Sequence, residues 1–413
     1  MVSQAVHRIA IVGGALSANK GAAAMVETVI ARMPQQVGQC EFALLTTYPE
    51  ADSPKVPTGA SVKVVGLQPL RLALVEFPVA VLVRIARLLH LPLGWVRARG
   101  CRAMLNSNVV VDVAGISFAD GRGIPIVVYN ALMTGVPVLL GVPTVKAAQA
   151  LGPFSSPVNA VLSRLVLPRV AAICARGART REHLNSLHLK NVVDVADLAF
   201  SLEESAVLPT DVANSVSTLS NGFIVVMPSA VVRGIVESNG GNYVQLMETL
   251  IRRIREATTK GVVIAPHSYR VGHGEGRMND GPVCREVGQQ LADDSGVVLV
   301  DADLSAGELR KLIGMGDVLV TSRFHAMISG LCTETPTVVV GWSHKYREVL
   351  DDFSLVEFGM DSSVLDSPKV VVDKVVDALK NQSTYAQQIR EGLPSVRERS
   401  AKNFEVIAGA MKS

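Results

Sequence analysis

Aromatic residues make up only 4% of this 413-residue chain. That argues against a lectin-like module, which offers several aromatic faces for sugars to stack on. The five cysteines, Cys40, Cys101, Cys174, Cys284 and Cys332, form no C-x-x-C pair and no His/Cys metal spacing, so they read as buried free thiols in a reducing cytoplasm. Charge of one sign is not in excess either. With 40 basic against 37 acidic residues, a net of +3, the chain lacks the concentrated basic surplus of a nucleic-acid surface, and nucleic acid is excluded as a partner. Met1 to Arg8 runs directly into Ile9-Ala-Ile-Val-Gly-Gly14 without the apolar region and cleavage site of a signal peptide. A cytoplasmic protein is expected. Leu72 to Val96 is very apolar, but Glu76, Arg84 and Arg87 interrupt it well short of the ~20 residues that a spanning helix needs. No carboxylate/His cluster has metal spacing, so no metal and no cofactor is expected.

What is present is length and alternation. A chain of this size exceeds one ordinary core, which makes two domains the natural expectation. Short β-branched runs alternate with longer helical patterns, the signature of βαβ units and parallel sheets. Strands are expected at Arg8 to Gly13, Glu41 to Thr46, Ser61 to Val65, Val109 to Val113, Pro137 to Gly141, Val170 to Ala175 and Val192 to Val195. The pattern restarts with Phe223 to Met227, Gly261 to Ala265, Val297 to Val300, Val318 to Thr321 and Thr337 to Val340. Between the two sets the chain turns polar, which gives an N-terminal Rossmann-like domain at 1–205, a linker at 206–221 and a C-terminal Rossmann-like domain at 222–382. A helical segment, 383–413, is expected to pack back. The fold class is therefore α/β, two doubly wound domains facing across a cleft in the glycosyltransferase-B manner. The segment 72–102 mixes Arg84, Arg87, Arg97, Arg99 and Arg102 with Leu, Val, Ile and Trp95. Such a mixture can make peripheral contact with an anionic membrane surface, or pack between domains with its arginines snorkelling to water.

In open α/β sheets, ligands bind beyond the carboxyl ends of the strands. In the second half those ends carry Pro266-His267-Ser268, Ser322-Arg323-Phe324-His325 and Trp342-Ser343-His344-Lys345. Arg323 is a fixed cation able to hold a carboxylate or phosphate bidentately, and its alternative is an ion pair with a neighbour such as Asp317. His325 titrates near neutrality and can give or take a proton. Ser322 is the expected N-cap of the following helix, whose first amides would favour an anion. Near the start, the loop from Gly14 almost spells a P-loop, but Asn19 replaces its second glycine and Gly21 its hydroxyl, so a polar binding loop survives and nucleotide hydrolysis does not. Asp112-Val-Ala-Gly-Ile-Ser-Phe-Ala-Asp120 offers carboxylates for sugar hydroxyls or for capping helices. Arg176 ends another strand.

These pieces together resemble the polysaccharide pyruvyl transferase family. The likeness rests on the Asn19-Lys20-Gly21 loop, the Asp112 to Asp120 segment, Gln149-Ala-Leu-Gly-Pro-Phe154, the Arg176 to Leu184 junction, Asp197-Leu-Ala-Phe200, and Ser322-Arg-Phe-His-Ala326 followed by Pro336 and Lys345. Ala22 stands where the family often has an aspartate. The resemblance implies transfer of pyruvyl from phosphoenolpyruvate to two hydroxyls of a sugar or glycolipid acceptor, giving a cyclic ketal at the inner face of a membrane. It implies His325 and Arg323 as catalytic residues, Arg176, Arg323, His325 and Lys345 around phosphoenolpyruvate, and Asn19, Lys20, Asp112, Ser117, Asp120 and His267 on the acceptor side. A nucleotide-sugar glycosyltransferase of the same architecture, or a catalytically silent glycan-binding relative, are the competing readings.

Overall fold

The computed structural model describes residues 6–17, 19–203, 207–270, 276, 278–341 and 345–411. By contacts the chain divides into two compact units. The first comprises 1–17, 22–202 and 397–413, and the second comprises 18–21 and 203–396.

The first unit is built on β1 (His7–Val12), β2 (Cys40–Thr46), β3 (Val62–Gly66), β4 (Val109–Asp112), β5 (Ile116–Ser117), β6 (Thr144–Leu151), β7 (Ala172–Arg176) and β8 (Val192–Val195). Its order is β3-β2-β1-β4-β6-β7-β8, all parallel, with β5 adding to β6. Alternate residues of β1 go to opposite faces: Ile9 and Ile11 join one core cluster, Ala10 and Val12 the other. A strand covered on both sides must read as an unbroken apolar run, as this one does. The second unit repeats the design with β9 (Phe223–Met227), β10 (Gly261–Ile264), β11 (Val297–Leu299), β12 (Val318–Thr321), β13 (Thr337–Gly341) and β14 (Gly359–Asp361), ordered β11-β10-β9-β12-β13-β14 and again parallel. In each sheet the direction of winding reverses beside the first strand, which is where such folds place ligands.

Two expectations need correction. Pro137 to Gly141 is not a strand. It ends the helix Ile124–Leu139, with Leu140 N–H donating to Val136 O at 3.0 Å. A short apolar run cannot separate strand from buried helix by periodicity alone, and the strand lies further on, in β6, where the buried polar side chains Lys146 and Gln149 disguise it. The expected linker 206–221 carries the helix Thr210–Ser217, whose Val212 and Val216 enter the core of the second unit. The C-terminal segment is one helix, Gln382–Ala410, shared by both units. Its Ile389 and Leu393, in the part that belongs to the second, are buried, and its Phe404 and Ile407 join a core cluster of the first.

Asn403 fastens that last turn. Its Oδ1 accepts from Ala148 N–H at 2.9 Å, and its Nδ2 donates to Ala196 O at 3.1 Å and Ser400 O at 3.0 Å, all without solvent exposure. Each buried backbone group left unpaired costs about 1–3 kcal/mol. Asn403→Ala is expected to lower unfolding stability by at least about 2 kcal/mol, read from the urea midpoint; an unchanged midpoint would show that the helix end is held by its apolar contacts alone.

Candidate functional site

In the second unit the reversal of strand order falls between β9 and β12, and the chain leaving each strand here is polar. Asp280, which is fully buried, gathers them. Its Oδ2 accepts from Arg323 Nε at 2.8 Å and from Ser268 N–H at 2.9 Å, while Oδ1 accepts from Ala230 N–H at 2.9 Å and from Arg323 Nη2. Arg323 is thus held bidentately by a carboxylate, and Asp317, the neighbour expected from sequence, pairs with Lys260 at 3.0 Å instead. Burial works against the Arg323 charge, yet Asp280 more than offsets it and raises the guanidinium above its ordinary pKa.

The helix Phe324–Cys332 begins one residue later than expected. Arg323, not Ser322, occupies the N-cap position, and no side chain caps it. Thr321 Oγ1 accepts from Arg323 N–H at 3.0 Å, and the Tyr346 hydroxyl donates to Ser322 O at 2.9 Å, so the corner is tied down without a cap. His325, at the second helical position, lies against Gly21: a Cβ on Gly21 would come within 2.0 Å of His325 Nδ1. Only glycine fits there. Asn19 Oδ1 accepts from Gly21 N–H at 2.9 Å, Asn19 forms a β-bridge with Ser268, and Lys20 pairs with Asp303. These contacts place Asn19, Lys20 and Gly21 with the second unit, although their position in the sequence suggested the first.

His267, beside them, is almost completely buried. Burial, followed by the neighbouring His325, Arg323 and Lys20, holds its imidazole well below the usual pKa, so it is neutral at pH 7. Lys345 sends its Nζ over the ring of Phe324, 4.9 Å from the centroid, and the same ring meets His325 edge-on at 5.3 Å. Trp342, Ser343 and His344 lie outside the described residues. The second unit therefore brings together Asn19, Lys20, His267, Arg323, His325 and Lys345.

The other expected residues belong to the first unit. Arg176, at the end of β7, pairs with Asp197 and donates from Nη2 to Gly115 O at 2.9 Å. Asp112 is buried and accepts from Lys146 Nζ at 2.6 Å and Ala114 N–H at 3.0 Å. Ser117 donates to Gln149, whose Nε2 donates to Asp112 O at 2.7 Å. Asp112 and Ser117 are thus spent inside the domain. Asp120 receives Ser155 N–H at 2.6 Å, Ser156 N–H at 3.1 Å and Asn159 Nδ2 at 2.8 Å. Burial raises its pKa, but these donors outweigh it and leave the carboxyl below its ordinary value. It holds the chain that enters the helix Pro157–Val166 without capping the helix's own first-turn amides. Asp280, Asp197, Asp303 and Lys146 were missed as partners. Only Asp197 gave a signal, in its Asp-Leu-Ala-Phe segment.

Two parallel Rossmann-like domains of this order define a glycosyltransferase-B-type fold, carrying a cationic and histidine-bearing corner at the second switch point. Similar architectures are the UDP-GlcNAc 2-epimerase of Neisseria meningitidis bound to UDP-GlcNAc, at 9% identity and TM-score 0.61 over 98% of this chain and 99% of that one, and the trehalose-6-phosphate synthase OtsA, at 11% and 0.60 over the same shares. MnaA of S. aureus with UDP is similar at 12% and 0.57, over 93% and 91%. No relative among curated proteins matches the sequence. The family model of polysaccharide pyruvyl transferases matches residues 19–344, and the chain belongs to that family.

The His267 geometry has a pH consequence. An imidazole whose folded pKa is depressed binds fewer protons folded than unfolded below about 6.5, so its contribution to stability is complete above that pH and is lost as pH falls toward the folded value. The loss amounts to about 1.4 kcal/mol per pH unit at most. Replacing His267 with Gln should flatten the decline of melting temperature between neutral and mildly acidic pH; parallel curves for the two proteins would contradict a buried neutral imidazole.

Proposed function

We propose that this chain transfers the pyruvyl group of phosphoenolpyruvate to two hydroxyls of a sugar in a polysaccharide, cell-wall glycan or glycolipid, forming a cyclic ketal and releasing phosphate. The observation that carries the reading is the seat of His325, pressed on Gly21 beside Lys20 and Arg323 in a segment that lies within the family match.

The donor carries a carboxylate and a phosphate. Arg323 and Lys20 would meet it as oriented N–H donors whose charges Asp280 and Asp303 already balance, and Lys345 brings a further ammonium to the same corner. Arg176 is retained as a donor-side candidate, although it too is balanced, by Asp197. His325 delivers a proton to the enol methylene, which generates an oxocarbenium-like carbon. One sugar hydroxyl adds there, phosphate leaves, and the neighbouring hydroxyl closes the ketal. One hydroxyl proton ends on the new methyl group through His325, and the other leaves with phosphate, so the histidine is restored. On the acceptor side Asn19, Lys20 and His267 remain candidates, while the internal pairing of Asp112 and Ser117 and the engagement of Asp120 with Ser155, Ser156 and Asn159 weigh against direct contact. A lipid-linked acceptor would be met at a membrane surface.

General acid catalysis by a positioned histidine is worth about 10²- to 10⁴-fold. His325→Ala should lose that much phosphate release while still binding phosphoenolpyruvate, and Gly21→Ala, which must displace the imidazole, should show the same pattern. Arg323→Lys keeps the charge but loses the planar fork, so donor affinity should fall more than turnover. A near-wild-type rate in His325→Ala removes it from the chemistry. The similar solved structures with UDP and UDP-GlcNAc favour one competing reading, a nucleotide-sugar transferase. Thermal stabilisation by UDP-sugars and not by phosphoenolpyruvate would select it.

A further inference from the structure

The stretch from Pro69 to Leu105 is unlike the rest of the surface. Ten of the 22 exposed large apolar side chains among the described residues lie between Leu70 and Trp95, with Leu70, Leu74 and Leu88 exposed to 75%, 73% and 66%. They are not scattered singly, which would be ordinary. In the helix Phe77–Leu88, the residues Ala80, Val83 and Ala86 point into the core. Leu82, Ile85 and Leu89, at helical spacing, stand on the opposite side.

The charge on the stretch is of one sign. It holds six arginines and a single carboxylate, Glu76. Glu76 is fully buried, where it accepts from Arg71 at 3.1 Å and from the amides of Gly100 and Cys101 at 3.2 and 2.8 Å. Arg84, Arg99 and Arg102 are exposed and have no carboxylate partner among the described residues. Arg71, Arg99 and Arg102 of this stretch also line a cavity of about 720 Å³, together with Lys63 and with Gln68 and Asn106 as neutral donors. Its carboxylate, Glu41, is taken by Arg8 at 3.0 Å.

We infer that this face docks on an anionic phospholipid bilayer, the leucines and Trp95 entering the headgroup region and the arginine-lined cavity receiving a lipid phosphate. An apolar face with a basic border is what interfacial helices use, sinking about 5–10 Å into the boundary layer. Indole rings settle at the same depth. A protein partner of matching charge would need acidic groups set around an apolar ridge, whereas an anionic bilayer supplies both over any contact geometry. The inference is independent of the donor and of the chemistry proposed above.

The test uses the full chain with sedimenting vesicles of phosphatidylcholine containing phosphatidylglycerol, and with vesicles of phosphatidylcholine alone. Binding to the mixed vesicles is expected, reduced by added salt. Leu74→Glu together with Leu88→Glu should weaken it by at least about tenfold. Arg99→Glu with Arg102→Glu should remove the preference for the anionic lipid. Circular dichroism confirms that these exposed substitutions leave the fold intact. Absence of binding to both vesicle types overturns the inference, as does unchanged binding by the leucine variant. Self-association of the wild-type chain in light scattering, abolished by the leucine variant and without vesicle binding, would assign the face to a second copy. Saturable binding of inorganic phosphate without vesicle binding would assign the cavity to a soluble anion.

Discussion

The second unit depends on one buried ion pair. Asp280 has both oxygens fully engaged, and the groups that engage them come from three places: Ala230 after β9, Ser268 after β10 and Arg323 after β12. A carboxylate without solvent is tolerable only when every lone pair is answered and the countercharge is close. Here the answer to that requirement also fixes the relative positions of three strand ends. Arg323 cannot swing, so the helix that starts behind it, and with it His325, is held in one orientation. Tyr243 adds a brace by accepting from Ser229 N–H at 3.1 Å, and burial raises its pKa, keeping the phenol neutral. A corner built this way is preorganised before any ligand arrives.

The same device recurs in the first unit, where Arg176 pairs with Asp197 and Lys146 with Asp112. At these three strand ends the buried charges come in balanced pairs, and a basic residue in the sequence is not by itself a source of positive potential. This changes how an anion would be bound. It would be recognised by the direction of N–H groups, with little help from net charge at Arg323 or Arg176. The cysteines take no part: all five are free and buried. Burial raises the Cys174 pKa to about 12, and burial with the nearby Asp280 charge pushes the Cys284 thiol up as well. Neither is a nucleophile near neutrality.

Most strands were legible because a parallel strand covered on both faces has to be apolar throughout, and β9 and β12 appear with the boundaries that their composition suggests. The miss at β6 has a physical cause. Where a buried element carries polar side chains, as β6 does with Lys146 and Gln149, the pattern that marks a strand is broken by groups whose partners are distant in sequence. The position of Arg323 and His325 just beyond the end of β12 was legible. Their partners were not, since Asp280 is 43 residues from Arg323 and Gly21 lies at the opposite end of the chain from His325. Proximity in sequence pointed to Asp317, and proximity in space chose Asp280. Ser322 was read as a cap from residue type, but the backbone N–H it would have taken is not needed when Thr321 and Tyr346 secure the corner.

The contrast between paired and unpaired arginines also explains why total charge misleads. The stretch Pro69 to Leu105 carries six arginines and one glutamate, +5, in a chain of net +3, so everything else sums to −2. A nearly neutral total conceals a basic segment set on a slightly acidic body. Inside the domains the arginines are structural cations that hold strand ends together at short range. On this segment Arg84, Arg99 and Arg102 face water, where their field is felt out to a Debye length of about 8 Å at physiological salt. Carboxylates placed beside them would have lowered the cost of self-repulsion. Among the described residues none pairs with them, and an exposed apolar stretch carrying such arginines is the arrangement that an anionic surface would stabilise, because contact relieves the repulsion and the apolar exposure together.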